Sequence, residues 1–68
     1  MKFHENLRAL RKNSAYMQKE LAAMIDVSTR AFQNYELGVR EPNIETLVKI
    51  ADLFGVTLDE LVGRDLPK

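Results

Sequence analysis

An all-α fold is predicted by three observations. No segment alternates apolar and polar residues over strand length, and apolar residues instead recur at helical spacing. Gly38, Gly55 and Gly63 each stand just past such a segment, where a helix end favours a residue tolerant of positive φ. Five helices follow, in one domain over residues 1–68, with a core of about residues 3–63 and a short C-terminal tail, 64–68.

Helix one is expected over Phe3–Lys12, because Phe3, Leu7 and Leu10 fall at i, i+4 and i+7 and form one apolar stripe. Helix two is expected over Gln18–Ile25, with Leu21, Ala22 and Ile25 inward. Helix three is expected over Thr29–Leu37, with the Ser28 hydroxyl positioned to accept from an early unpaired N–H. Pro42 keeps Glu41 extended and separates helices three and four. Helix four is expected over Ile44–Phe54, capped by Asn43, with Ile44, Leu47, Val48, Ala51 and Phe54 inward. Helix five is expected over Leu58–Val62, where Thr57 followed by Glu60 is a capping-box pattern.

Sixty-eight residues bury roughly 60% of their unfolded surface, enough for a marginal core. The chain has no cysteine to staple it, so an oligomer interface is a plausible further source of stability. The N-terminal MKFHENLRALRK has no apolar run of the kind a signal peptide needs, and no window approaches a membrane span. A soluble cytoplasmic protein is the expectation, with no membrane partner.

The formal net charge is zero, unlike the basic footprint usual in nucleic-acid binders. Its distribution is uneven. Residues 1–40 carry seven Lys and Arg against four Asp and Glu, or +3, and residues 41–68 carry three against six, or −3. One half can approach phosphates while the other points away, although counts this small also arise by chance.

Gln18–Gly38 reads QKELAAMIDVSTRAFQNYELG, two short amphipathic helices about a tight turn. That is a device for placing one helix in the DNA major groove. At about 100° per residue, Thr29, Arg30, Gln33, Asn34 and Leu37 share one arc of helix three, and Ala31, Phe32 and Tyr35 the other. Arg pairs with guanine O6/N7, Asn or Gln with adenine N6/N7, and Thr offers a hydroxyl and a methyl. The bland alternative is an ordinary solvated face.

The chain resembles the Cro/phage-repressor (XRE-type) helix-turn-helix family over about residues 5–63. The likeness is carried by LRALRK at Leu7–Lys12, QKELA at Gln18–Ala22, Val27–Ser28, YELG at Tyr35–Gly38, Pro42, and IETLVKIADLFGVTLDEL at Ile44–Leu61. It implies a five-helix, lambda-repressor-like domain with helix three in the groove. It implies a phosphate held by Gln18 with nearby backbone N–H groups, in keeping with anions at helix N-termini. It suggests base contacts from Thr29, Arg30 and Asn34, with Gln33 nearby, and a structural ion pair between Arg11 and Glu36. The other use for Arg11 is a free surface arginine on phosphate.

Three residues depart from the family pattern. Met17 stands where a capping Ser or Thr is usual, a weaker cap costing ~1 kcal/mol. Asp26 stands where the turn usually has Gly, and Asp tolerates left-handed geometry better than most residues. Leu37 stands at a position often polar, where it either touches a thymine methyl or packs on the turn.

Tyr16 and Arg40 flank the expected DNA side and are candidates for phosphate. Leu58, Leu61, Val62 and Leu66 exceed what a short last helix needs. They either form a two-fold contact or complete the monomer core. His4, the only histidine, is expected at the surface, and with no Cys/His cluster no metal or cofactor is expected. Ser14 and Ser28 have no triad partner in sequence, and no glycine-rich phosphate loop is present, so an enzyme is not expected. The expected function is a sequence-specific transcriptional regulator, most simply a repressor, binding double-stranded DNA as a homodimer. The alternatives are an antitoxin-type regulator with a protein partner, and a protein-interaction adaptor that reads no DNA.

Overall fold

The computed structural model describes residues 2–63. It holds α1 (Phe3–Lys12), α2 (Gln18–Met24), α3 (Thr29–Leu37), α4 (Ile44–Phe54) and α5 (Leu58–Val62), and no strand among the described residues. Helix two stops one residue earlier than expected, with Ile25 as its C-cap. The candidate pairing residue Leu66 lies outside the described residues.

The helix starts follow from the caps in the sequence. Ser28 Oγ accepts from Ala31 N–H at 3.0 Å, and Asn43 Oδ1 from Thr46 N–H at 2.9 Å. Thr57 Oγ1 accepts from Glu60 N–H at 3.1 Å while the Glu60 carboxylate accepts from Thr57 N–H at 3.0 Å. The backbone N–H of Thr57, and after it the Thr57 side chain, hold the Glu60 carboxyl below its ordinary pKa. Met17 has no side-chain acceptor to offer, and α2 keeps only half of such a box, Glu20 accepting from Met17 N–H at 2.9 Å. Asp26 takes φ +60 in the turn between α2 and α3, and its carboxylate meets Lys49 Nζ of α4 at 3.3 Å.

The core joins Phe3 and Leu7 of α1, Leu21 and Ala22 of α2, Ile25, Phe32 and Tyr35 of α3, Ile50 and Ala51 of α4, and Leu61 of α5. Asn6 was not singled out in the sequence, yet it closes the ring of helices. Its Nδ2 donates to the carbonyls of Leu61 at 3.1 Å and Glu60 at 3.3 Å, and Lys2 N–H donates to Val62 O at 3.2 Å. The first turn of α1 thereby satisfies carbonyls at the end of α5 that have no helical partner.

The inner face of α4 is rotated from the expected one. Ile50 is fully buried, whereas Ile44 is 73% exposed and Val48 41% exposed. Leu47 and Phe54 are half-buried against the core, and Ala51 is inside as expected. Leu61 has no exposed surface. It completes the chain's own core and has none to give a second copy, which corrects its place among the pairing candidates. His4 is half-buried rather than at the surface. Its ring fills the space beside Gly38, 3.1 Å from where a Cβ there would sit, and Gly38 has φ +76. A larger residue at Gly38 meets both a strained backbone and an occupied site.

Candidate nucleic-acid interface

The inward side of α3 fixes how its outward side is presented. Phe32 and Tyr35 are buried in the core, and Ala31 packs against it. Thr29, Arg30 and Gln33 are exposed and Asn34 is half-buried. Among the described residues, the side chains of Thr29, Arg30 and Asn34 have no hydrogen-bond partner. Both ends of the helix are closed locally, by Ser28 at its start and by left-handed Gly38 after Leu37. Val39 N–H donates to Asn34 O at 3.2 Å beyond that cap.

Glu36 is the one buried charged residue among those described, 3% exposed. Arg11 of α1 meets it with two donors, Nε to Oε2 and Nη2 to Oε1 at 3.1 Å. This forked pair raises the Arg11 pKa above its ordinary value, chiefly through the hydrogen bond to Glu36. Gln18 Nε2 of α2 donates to Glu36 Oε1 at 2.8 Å. In turn Gln33 Nε2 donates to Gln18 Oε1 at 3.3 Å. One carboxylate therefore ties α1, α2 and α3 together, and the chain of bonds surfaces at Gln33.

Of the two uses weighed for Arg11, the geometry is that of the structural pair. The expected phosphate ligand Gln18 has its carbonyl oxygen and one N–H engaged, which leaves its second N–H to give. The link from Gln18 to Glu36 was missed in the sequence. It has no local signature, because residues 18 apart meet only when two helices pack.

Beside this network lies an open cleft of about 420 Å³, lined by Arg8, Arg11, Lys12, Gln18, Gln33, Glu36 and Leu37. Leu37 is 65% exposed and forms part of the cleft lining. Arg8 and Lys12 entered the sequence reading as charge and as part of the LRALRK motif, with no role of their own, and the cleft gives them a place. Tyr16 is exposed. Arg40 is also exposed and borders a separate, small recess with Phe3, His4, Tyr35, Gly38 and Glu41. Leu58 is exposed and Val62 half-buried, so both retain surface. No group of three possible metal-ligating residues stands together among the described residues. No helix among them is long and apolar enough to cross a membrane.

Residues 7–61 match the family model described as helix-turn-helix. The chain is 34% identical over 65 residues to the HTH-type transcriptional regulator ImmR of Bacillus subtilis, covering 96% of this chain and 51% of that protein. It is 41% identical over 64 residues to the cryptic phage CTXphi transcriptional repressor RstR of Vibrio cholerae, covering 94% and 57%. A crystal structure of a transcriptional regulator from Listeria innocua superposes with TM-score 0.91 at 35% identity, over 97% of this chain and 62% of that one. The chain thus spans about half the length of these curated relatives.

Proposed function

The chain belongs to the helix-turn-helix family, and on that premise we propose that it is a sequence-specific transcriptional regulator, a repressor, that binds a pseudo-palindromic operator as a homodimer. Each copy lays α3 in one major groove, with half-sites about 10 bp apart on one side of the duplex. The observation that carries this reading is α3 itself. Thr29, Arg30 and Gln33 stand in solvent with Asn34 beside them, on a helix whose base is tied to two others through Glu36.

Thr29, Arg30, Gln33 and Asn34 read base edges. Gln18, Arg40 and Tyr16 hold phosphates and set register and salt dependence. Leu58 and Val62 form the two-fold contact. The repressor assignment is supported by the likeness to the transcriptional repressor RstR of Vibrio cholerae.

Selection from a random duplex library, comparing the wild type with Arg30→Ala and Asn34→Ala, tests this reading. The expected result is a two-fold-related motif that loses preference at a different position in each variant. Arg30→Ala costs about 1–3 kcal/mol at its own base position if that contact is bidentate. A uniform loss across all sequences moves Arg30 from base reader to phosphate contact.

A second reading, regulation through a protein partner, is favoured by the solvent-exposed apolar residues Ile44 and Val48 on α4. Capture of a partner in the absence of DNA, together with no enriched motif, would replace the first reading by this one.

A further inference from the structure

We infer that Arg8 and Lys12 of α1 grip the phosphodiester strand bordering the groove that α3 enters, a contact that neither the family likeness nor the reading face supplies. The inference rests on the DNA reading above. Its ground is the charge left over in the cleft between α1 and α3. Three cations line that cleft, Arg8, Arg11 and Lys12, against one anion, Glu36. The Arg11 charge is committed to Glu36. Three positive charges against one negative leave +2, carried by Arg8 and Lys12, and neither makes an ion pair with a described residue.

The two are exposed and one helical turn apart, so they stand side by side, about 5–6 Å between Cβ atoms. Gln33 and Leu37 of the outward α3 face line the same cleft. With α3 in the groove, the strand walling that groove on the α1 side passes over this cleft. Two long, unpaired cations there meet phosphates, which take a flexible ammonium as well as a guanidinium. Such contacts position the protein and carry no sequence information.

The test is affinity across a salt series for the wild type, Arg8→Ala, Lys12→Ala, the double variant and Arg8→Lys. Each is measured on the duplex enriched by the wild type and on a scrambled duplex. The slope of log K against log salt is expected to fall by roughly 0.9 for each cation removed, equally on both duplexes. Arg8→Lys keeps the slope, and all variants keep the wild-type melting temperature, since neither side chain holds the fold. Unchanged slopes in the alanine variants, with a wild type that binds, overturn the inference and leave the DNA reading standing. A loss confined to the enriched duplex overturns it in favour of base contact. A wild type that binds neither duplex removes the DNA reading, and this inference with it.

Discussion

Helices α3 and α4 are both amphipathic and both lie against the same core, yet their outer faces differ. That of α3 is polar, with Thr29, Arg30 and Gln33, broken only by Leu37. That of α4 mixes Ile44 and Val48 with Glu45, Lys49 and Asp52. The inner side differs too. Helix α3 buries a carboxylate bound to α1 and α2, whereas the residues α4 buries fully, Ile50 and Ala51, are apolar. Both helices pack on the core, but α3 adds a buried, charged hydrogen-bond network, whereas the bond that α4 makes through Lys49 to Asp26 is exposed.

The most severe way to break the α3 side is Arg11→Ala. It leaves the Glu36 carboxylate buried with Gln18 as its remaining side-chain donor, and loss of one partner of a buried pair costs about 3–5 kcal/mol. Denaturant unfolding should show a loss of that size, a large share of the stability of a domain this small. A loss below about 1 kcal/mol would mean that water replaces Arg11 without penalty.

On the α4 side the contrast is within the helix. Ile50→Ala is expected to cost about 2–5 kcal/mol, by emptying core volume. Ile44→Ala is expected to fall within about 0.5 kcal/mol of the wild type, because it removes mainly exposed surface, and Val48→Ala, at a position more than half covered, to fall between the two. Thermal melts of the three variants at one concentration check this, and a large loss for Ile44→Ala would show that solvent is not its neighbour in solution.

Helix α2 tests whether a missing cap matters. Met17 already has the extended backbone of an N-cap, φ −89 and ψ 163. Met17→Ser supplies the absent acceptor and is expected to raise stability by about 1 kcal/mol. The smallest effect is at α5. The Glu60 carboxyl is held below its ordinary pKa, so its contribution is complete above the unfolded value of about 4.3 and is lost as pH falls through the folded one. Glu60→Gln should flatten the acid limb of a stability-against-pH curve and leave the neutral region little changed.

The boundaries of α3, α4 and α5 were legible because each depends on a local signal: Ser28, Asn43 and Thr57 as caps, and glycines after the ends; α2 ends on Ile25 with no such signal, and its end was placed one residue too far. The inner face of α3 was legible because it has few apolar residues, and Phe32 and Tyr35 leave one way to face. In α4 seven of eleven residues are apolar, counting Ile44, Leu47, Val48, Ile50, Ala51, Leu53 and Phe54. Several faces then satisfy the periodicity, and the choice is made by what α1, α2 and α5 leave open. Leu61 shows the same limit, since a surplus of apolar residues does not say which of them completes the core. The Arg11–Glu36 pair came from resemblance, and Asn6 and the Gln18–Glu36 bond from neither source, because each joins residues remote in sequence.

The arrangement about Glu36 also separates two tasks that a reading helix has to combine. What aims α3 lies on its inner side, and Thr29 and Arg30 on the outer side have no side-chain bonds to the rest of the described chain. Those two positions can be rewritten with little effect on folding, so a lineage could drift to new target sequences without passing through unstable intermediates. Gln33 is the exception. Its bond to Gln18 links vocabulary to scaffold, and changes there should be accepted more slowly than at its neighbours.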